Sequence, residues 1–165
     1  MIRLARAGES RALQSVEARA ATRFAPIEPA IAALPVSAVS VLDAGIAEGR
    51  VAVAVDDSDA PIGFAIVELA EDDVHLREID VVPEACGRGV GTALLDWVAG
   101  FARAHGVARV TLTTFRDVPW NAPFYARRGF RILGEPLPAR LAATRAAETA
   151  HGIDLVPRVA MARDL

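Results

Sequence analysis

The stretch Ile79-Asp80-Val81-Val82-Pro83-Glu84-Ala85-Cys86-Gly87-Arg88-Gly89-Val90-Gly91-Thr92-Ala93-Leu94-Leu95 decides how this chain reads. Apolar alternation at its start marks a strand, glycines then crowd together, and a periodic apolar run opens a helix. Gly87, Gly89 and Gly91 lack a Cβ, so the backbone there can bend freely and approach a ligand closely. The first amides of the following helix have no intrahelical carbonyl to pair with, and the helix end is positive. Strand, turn and helix start together form an anion cradle over Gly87, Arg88, Gly89, Val90, Gly91 and Thr92, where a phosphate-bearing cofactor is expected. Arg88 adds a permanent cation whose forked donors suit phosphate oxygens.

Spacing separates the competing readings of this turn. A nucleotide-triphosphate loop is disfavoured because no Lys-Ser or Lys-Thr pair follows. A dinucleotide fingerprint needs Gly-x-Gly-x-x-Gly and an acid ending the next strand. This chain has Gly-x-Gly-x-Gly, and its next strand ends in Thr113 and Thr114. The bland alternative is a tight strand-to-helix connection that binds nothing.

Residues 79–95 resemble motif A of the GNAT N-acetyltransferase superfamily, with Cys86-Gly87-Arg88-Gly89-Val90-Gly91 matching Gln/Arg-x-x-Gly-x-Gly/Ala. Cys86 stands where Gln or Arg is usual. Further on, Trp120-Asn121-Ala122-Pro123-Phe124-Tyr125-Ala126-Arg127-Arg128-Gly129-Phe130 is similar to the family's motif B: an Asn, a Tyr on a short helix, then Gly-Phe opening a strand. The resemblance spans roughly residues 50–135, and the flanks match by general layout only. It implies an α/β fold with a mixed, mostly antiparallel central sheet of six to seven strands, flanked by four to five helices. It also implies acetyl-CoA as cosubstrate and no metal, with Val81, Val82, Cys86, the glycine turn through Thr92, Asn121 and Tyr125 as its binding residues.

Length and composition agree with one compact domain over residues 1–165. Hydrophobic residues make up 53% of the chain, enough apolar surface for a core. A net charge of −3 and a pI near 5.6 argue against nucleic-acid binding, which favours a basic face. All 18 basic residues are Arg. The bland explanation is genomic base composition, but one consequence is that the chain cannot acetylate itself on an internal lysine. A single Cys excludes an internal disulfide and fits a reducing compartment. The amino terminus lacks the apolar stretch of a secretory signal, and no window reaches the length of a membrane span. A cytoplasmic protein without membrane partners is therefore expected. Dimers are common among such folds, so a homodimer is one expected state.

Along the chain, Ile2–Ala7 reads as an edge strand, and Glu9–Arg23 as a helix on the spacing of Leu13, Val16 and Ala20. Pro26, Pro29 and Pro35 make a loop with at most a short turn, where acceptor specificity is expected to reside. A second helix follows near Ser37–Glu48, stopped by Gly49. Arg50–Asp56 and Ile62–Leu69 are strands joined by a polar turn. In the strand Val74–Val82 the apolar parity changes between Leu76 and Ile79, which predicts a bulge that frees backbone groups near Val81. A helix over Gly89–His105 ends at Gly106. Val107–Thr114 is a strand, Ala122–Arg128 a short helix, Phe130–Leu133 a strand, Pro138–Ala150 a helix and Val156–Arg163 a last strand.

The implied chemistry is direct acetyl transfer to an amine. An ammonium must lose a proton to react, and the departing thiolate must gain one. In the family a tyrosine phenol sits beside the CoA sulfur, which makes Tyr125 the expected acid; its alternative is a core aromatic. Asn121 holds the pantetheine arm, or serves as a helix N-cap. Glu78 is the preferred base and His75 the alternative, since an imidazole titrates near neutrality. In a regular strand their odd separation puts them on opposite faces. The Val81 amide would stabilise developing negative charge on the thioester oxygen. His105 and His151 cap helix ends. Arg116 and Asp117 read as a surface ion pair. Cys86, next to the helix end, is a candidate for a mixed disulfide with CoA.

A small-molecule amine is the expected acceptor. The alternatives are a protein or peptide amino group, and a non-catalytic CoA-binding sensor with the same fold; a nicotinamide-binding module ranks third.

Overall fold

The computed structural model describes residues 1–165. In chain order the elements are β1 (Ile2–Leu4), α1 (Ser10–Ala21), α2 (Pro29–Ala32), α3 (Val39–Ala47), β2 (Val51–Val55), β3 (Pro61–Leu69), β4 (Val74–Val81), α4 (Val90–Ala104), β5 (Arg109–Phe115), α5 (Ala122–Ala126), β6 (Arg131–Ile132), α6 (Ala139–Ala150) and β7 (Arg158–Asp164). The strands form one seven-stranded sheet in the order β1-β2-β3-β4-β5-β7-β6. Every pairing is antiparallel except β4 with β5. This is the mixed, mostly antiparallel α/β sheet expected from the sequence, and β1 is shorter than its apolar run suggests.

β2 is Val-Ala-Val-Ala-Val and is buried along its whole length, because helices cover both faces of the sheet. Ala52, Ala54, Ala65 and Val67 pack with Leu94, Leu95 and Val98 of α4. Their neighbours Val51, Val53, Phe64 and Ile66 pack with Leu13 and Val16 of α1 and Leu42 of α3. Small side chains on one face and large ones on the other let α4 sit close to the strands. Gly63 marks another close approach: a Cβ there would lie 2.8 Å from the Asp80 carbonyl oxygen.

The expected bulge is present. Ile66 pairs with Glu78 and Val67 with Leu76, so Arg77 is the extra residue on β4. It corrects one expectation: Ile66 and Glu68 share a face of β3, so their partners Glu78 and His75 share a face of β4. The insertion also coincides with the end of the parallel ladder. β4 and β5 pair only through Val74 with Val110, His75 with Thr111 and Leu76 with Leu112, although both strands run on. Beyond Leu76 they diverge and leave an opening between their carboxyl ends.

On the other side of the bulge, a polar network ties α6 to the sheet. The Thr111 hydroxyl donates to Asp73 Oδ2 at 3.1 Å, so its lone pairs are left to accept, and His75 Nδ1 lies 3.0 Å away as donor. Arg140 on α6 pairs with Asp73, and Glu148 receives Arg158 Nη2 at 3.1 Å. Burial, reinforced by Arg140, lowers the pKa of the His75 imidazole from its ordinary value. A histidine depressed in the fold gives stability that is complete above its unfolded pKa, about 6.5, and is lost as pH falls below it. The lead in stability of the wild type over His75→Leu should therefore shrink from pH 7.5 to pH 5.5, by at most about 1.4 kcal/mol per pH unit. Urea unfolding of both proteins across that range measures it, and a constant difference would contradict it.

Candidate active site

The glycine turn folds as a cradle. Gly87 and Gly89 have φ of 76° and 81°, a region closed to most side chains, and Gly89 stands in the left-handed conformation at the N-cap of α4. The first helical hydrogen bond runs from the Ala93 amide to the Gly89 carbonyl at 3.0 Å. None of the amides from Gly87 to Thr92 has an acceptor within the protein. Arg88 is exposed beside them. Arg128, which the sequence reading passed over, donates to Thr92 Oγ1 from Nε at 3.0 Å and lies 3.7 Å over the Phe124 ring. The Cys86 thiol points away from the free amides, toward the Val81 and Val82 carbonyls at 3.8 and 3.5 Å.

β4 supplies the next group. The Val82 amide donates to the Ile62 carbonyl at 3.0 Å. In an antiparallel ladder bonded and non-bonded pairs alternate, so the Val81 amide is turned away from β3 and toward the opening beside β5. The Val82 side chain itself is buried in the α1 and α3 core.

A cavity of about 440 Å³ occupies this opening. Ile79, Asp80, Val81 and Cys86 to Thr92 (except Arg88) form one side, with Asn121, Phe124, Tyr125 and Arg128 opposite and Ala20, Arg23, Phe24 and Trp120 at one end. α5 places Tyr125 so that its ring packs edge-on to Phe124 and Phe130, with centroids 5.3 and 5.7 Å apart. Burial, then the charge of Asp80, pushes the Tyr125 phenol well above its ordinary pKa, so it carries its proton throughout the neutral range. Asn121 is the N-cap of α5, yet its side chain does not cap. Its Nδ2 donates to Thr114 Oγ1 at 2.9 Å, which leaves the buried Oδ1 aimed without a partner.

Three carboxyls gather behind the cavity. Ser37, in the segment before α3, donates its amide to Glu17 Oε1 at 2.8 Å and its hydroxyl to Glu78 Oε2 at 3.0 Å. Glu78 and Asp80 lie on one face of β4, and Asp80 reaches the cavity. Burial raises all three: Glu17 to about 7, Glu78 above the ordinary carboxylate range, and Asp80 well above it, helped by the charges of Glu78 and Glu17. Like charges this close share protons, and Asp80 is the member that holds one most firmly. Asp80 Oδ2 and Glu17 Oε2 are buried without partners.

The opening thus unites Asp80, Val81, the glycine turn, Asn121 and Tyr125. Glu78 stands one position behind Asp80, while His75 belongs to the α6 network and does not line the cavity. Asp80, Glu17, Arg23, Trp120 and Arg128 were missed by the sequence reading; the spacing Glu78-x-Asp80 on a bulged strand was the available signal. Arg116 and Asp117 pair at 3.2 Å on the surface. His105 and His151 contact helix-end carbonyls through Nδ1, at 2.8 and 2.6 Å. A separate depression of about 490 Å³ lies by Glu48, Arg50, Phe101 and His105 and shares no residue with the cavity.

These features fit a CoA thioester. The unpaired amides and Arg88 suit its pyrophosphate, and the Asn121 Oδ1 suits an amide N–H of its pantetheine arm. No group of His, Cys, Asp and Glu is arranged to hold a metal ion. No helix is long and apolar enough to cross a membrane.

Comparison with known proteins agrees. The solved structures this chain is similar to include a PaiA N-acetyltransferase from Thermoplasma acidophilum in complex with coenzyme A, at 17% identity and a TM-score of 0.74 over 100% of this chain and 98% of that one. Rv2747 from Mycobacterium tuberculosis, in complex with CoA, is 22% identical with a TM-score of 0.71, over 100% and 99%. N-acetylglutamate synthase from Neisseria gonorrhoeae, complexed with coenzyme A and N-acetyl-glutamate, is 18% identical with a TM-score of 0.72; this chain spans 35% of its length. At these identities the likeness establishes the fold. The family model described as "Acetyltransferase (GNAT) domain" matches residues 47–132, just over half of the sequence, and so the chain belongs to the GNAT acetyltransferases, enzymes that draw their acyl group from acetyl-CoA.

Proposed function

We propose that the protein transfers the acetyl group of acetyl-CoA to the primary amine of a small molecule, by direct attack of the amine on the thioester. The observation that carries this reading is the single opening between β4 and β5, lined at once by the Tyr125 phenol, the Asp80 carboxyl, a free amide and an anion cradle. Its acceptor end is closed by Phe24 and Trp120, whose rings meet edge-on at 5.7 Å, with Arg23 stacked on the indole. Such a walled end suits a compact amine better than a protein surface. A lone thiol suits reducing conditions, which supports a cytoplasmic setting for the reaction.

Bound in the opening, acetyl-CoA supplies an electrophilic carbonyl carbon and a thiolate leaving group. The Val81 amide is aimed where negative charge develops on the carbonyl oxygen. Asp80 in its ionised form, with Glu78 behind it, receives the ammonium proton and frees the nitrogen lone pair. The nitrogen–carbon bond forms as the carbon–sulfur bond breaks, Tyr125 gives its proton to the departing sulfur, and the second proton leaving the acylated nitrogen restores the phenol. In this assignment Asp80 takes the base role expected of Glu78, which does not line the cavity and acts through Asp80. His75 is a positioning residue for α6.

Free-thiol release from acetyl-CoA across amines, amino acids and amino-terminal peptides, with CoA binding followed by thermal shift, tests the reading. Amine-dependent release supports it, release on peptides alone would point to a protein acceptor, and stabilisation by CoA without release would point to a sensor. Tyr125→Phe should lower kcat on the order of 100-fold with little change in KM for acetyl-CoA, checked by steady-state kinetics. Equal loss in both would contradict the acid role. Because the accepting carboxyl must be ionised, kcat/KM should rise with pH, and the step that Glu17 contributes falls at about pH 7. The charge of Glu17 raises Asp80, so Glu17→Gln should shift that rise to lower pH with the same acceptor. An unmoved pH profile would separate Glu17 from the chemistry.

A further inference from the structure

The two ends of the cavity have opposite unmet needs. At one wall, Asp80 presents a buried carboxyl oxygen with no partner. At the acceptor end stand two donors without acceptors. Trp120 Nε1 is buried and makes no hydrogen bond. Arg23, in the turn Thr22–Phe24 that ends α1, lies with its guanidinium carbon 4.2 Å from the Trp120 ring centroid. It is half-buried, and no carboxylate comes within ion-pair distance of it, although Arg19, one helical turn earlier, pairs with Glu84 at 2.8 Å. Stacking occupies the face of a guanidinium and leaves its edge N–H groups free, in a fork that matches a carboxylate.

Taking the small-amine reading above as its basis, we propose that the acceptor carries its own carboxylate: it is an amino acid or a compact amino-acid derivative. Its carboxylate lies on Arg23 and Trp120 Nε1, and its amine turns toward Asp80. A neutral amine or a polyamine meets the need at Asp80 but leaves both donors desolvated and unpaired, as does a protein amino terminus, whose carboxylate has become an amide. Sites built to hydrogen-bond a substrate group discriminate strongly against analogues that lack it. The Arg23 and Trp120 pair therefore sets specificity, and the Asp80 end serves the transfer.

The test measures thiol release from acetyl-CoA with the common amino acids, each beside its primary amide and its decarboxylated amine. Expected is a preference for the acid over its amide of at least about tenfold in kcat/KM for the accepted side chains. Arg23→Gln should collapse the acid-to-amide ratio by about the same factor, and Trp120→Phe, which keeps the ring but removes the N–H, should narrow it. Equal turnover of acid and amide by the wild type overturns the proposal even if neither variant folds. A rise in KM for acetyl-CoA in Arg23→Gln with the ratio unmoved also overturns it, by assigning the guanidinium to the donor's phosphates. Release with amides and simple amines but without preference for acids sinks only the carboxylate proposal; no release with any of the three series sinks the small-amine reading beneath it.

Discussion

One inserted residue governs the architecture. With Arg77 extra on β4, the parallel ladder to β5 stops after Leu76 and Leu112. Two strands that would otherwise have satisfied each other diverge, and the backbone groups between them are left for a ligand. The same insertion resets side-chain parity, turning Ile79 and Val81 toward α4 and Glu78 and Asp80 toward α1. Backbone amide, carboxyl pair and glycine cradle then follow one another along a single continuous segment. A regular strand would have closed the seam with hydrogen bonds and buried the site.

The carboxyl cluster shows how the core and the chemistry share one region. Glu17 projects from a helix whose other inward residues, Leu13 and Val16, are fully packed against Phe64 and Ile66. Desolvation there is costly for a charge, and the Ser37 amide compensates it directly. A group held close to its own titration point can accept or release a proton at little cost. The depth that makes these carboxyls awkward for folding is what raises them, Glu17 to about 7 and Glu78 and Asp80 above their ordinary range.

Much of this was legible in the sequence, and the boundary has a physical cause. The strand-turn-helix at 79–95, the Asn121 to Phe130 segment and the parity change in β4 are local patterns, and each appears where its residues indicate. The opposite-face expectation for His75 and Glu78 failed because it counted a regular strand across a site where a bulge was already expected. The acceptor end could not be read: Arg23, Trp120 and Asp80 are brought together only by packing between the end of α1, the segment before α5 and the middle of the sheet. Apolar periodicity reports which face of an element is inward, and says nothing about which distant side chains meet there.

The sheet also has an unequal seam. β1 to β4 form one antiparallel block and β5, β7 and β6 another, and the two are joined within the sheet by the pairing of three residues at one end only. Below that joint α4 lies across β2, β3, β4 and β5 on one face, while α6 and its ion pairs bind the other. The molecule is therefore built like a clothes peg, with its spring at the bulge and its jaws at the cavity. No ladder hydrogen bond crosses the jaws, so a bulky cosubstrate lodged between them displaces none and leaves the pairing of both blocks intact.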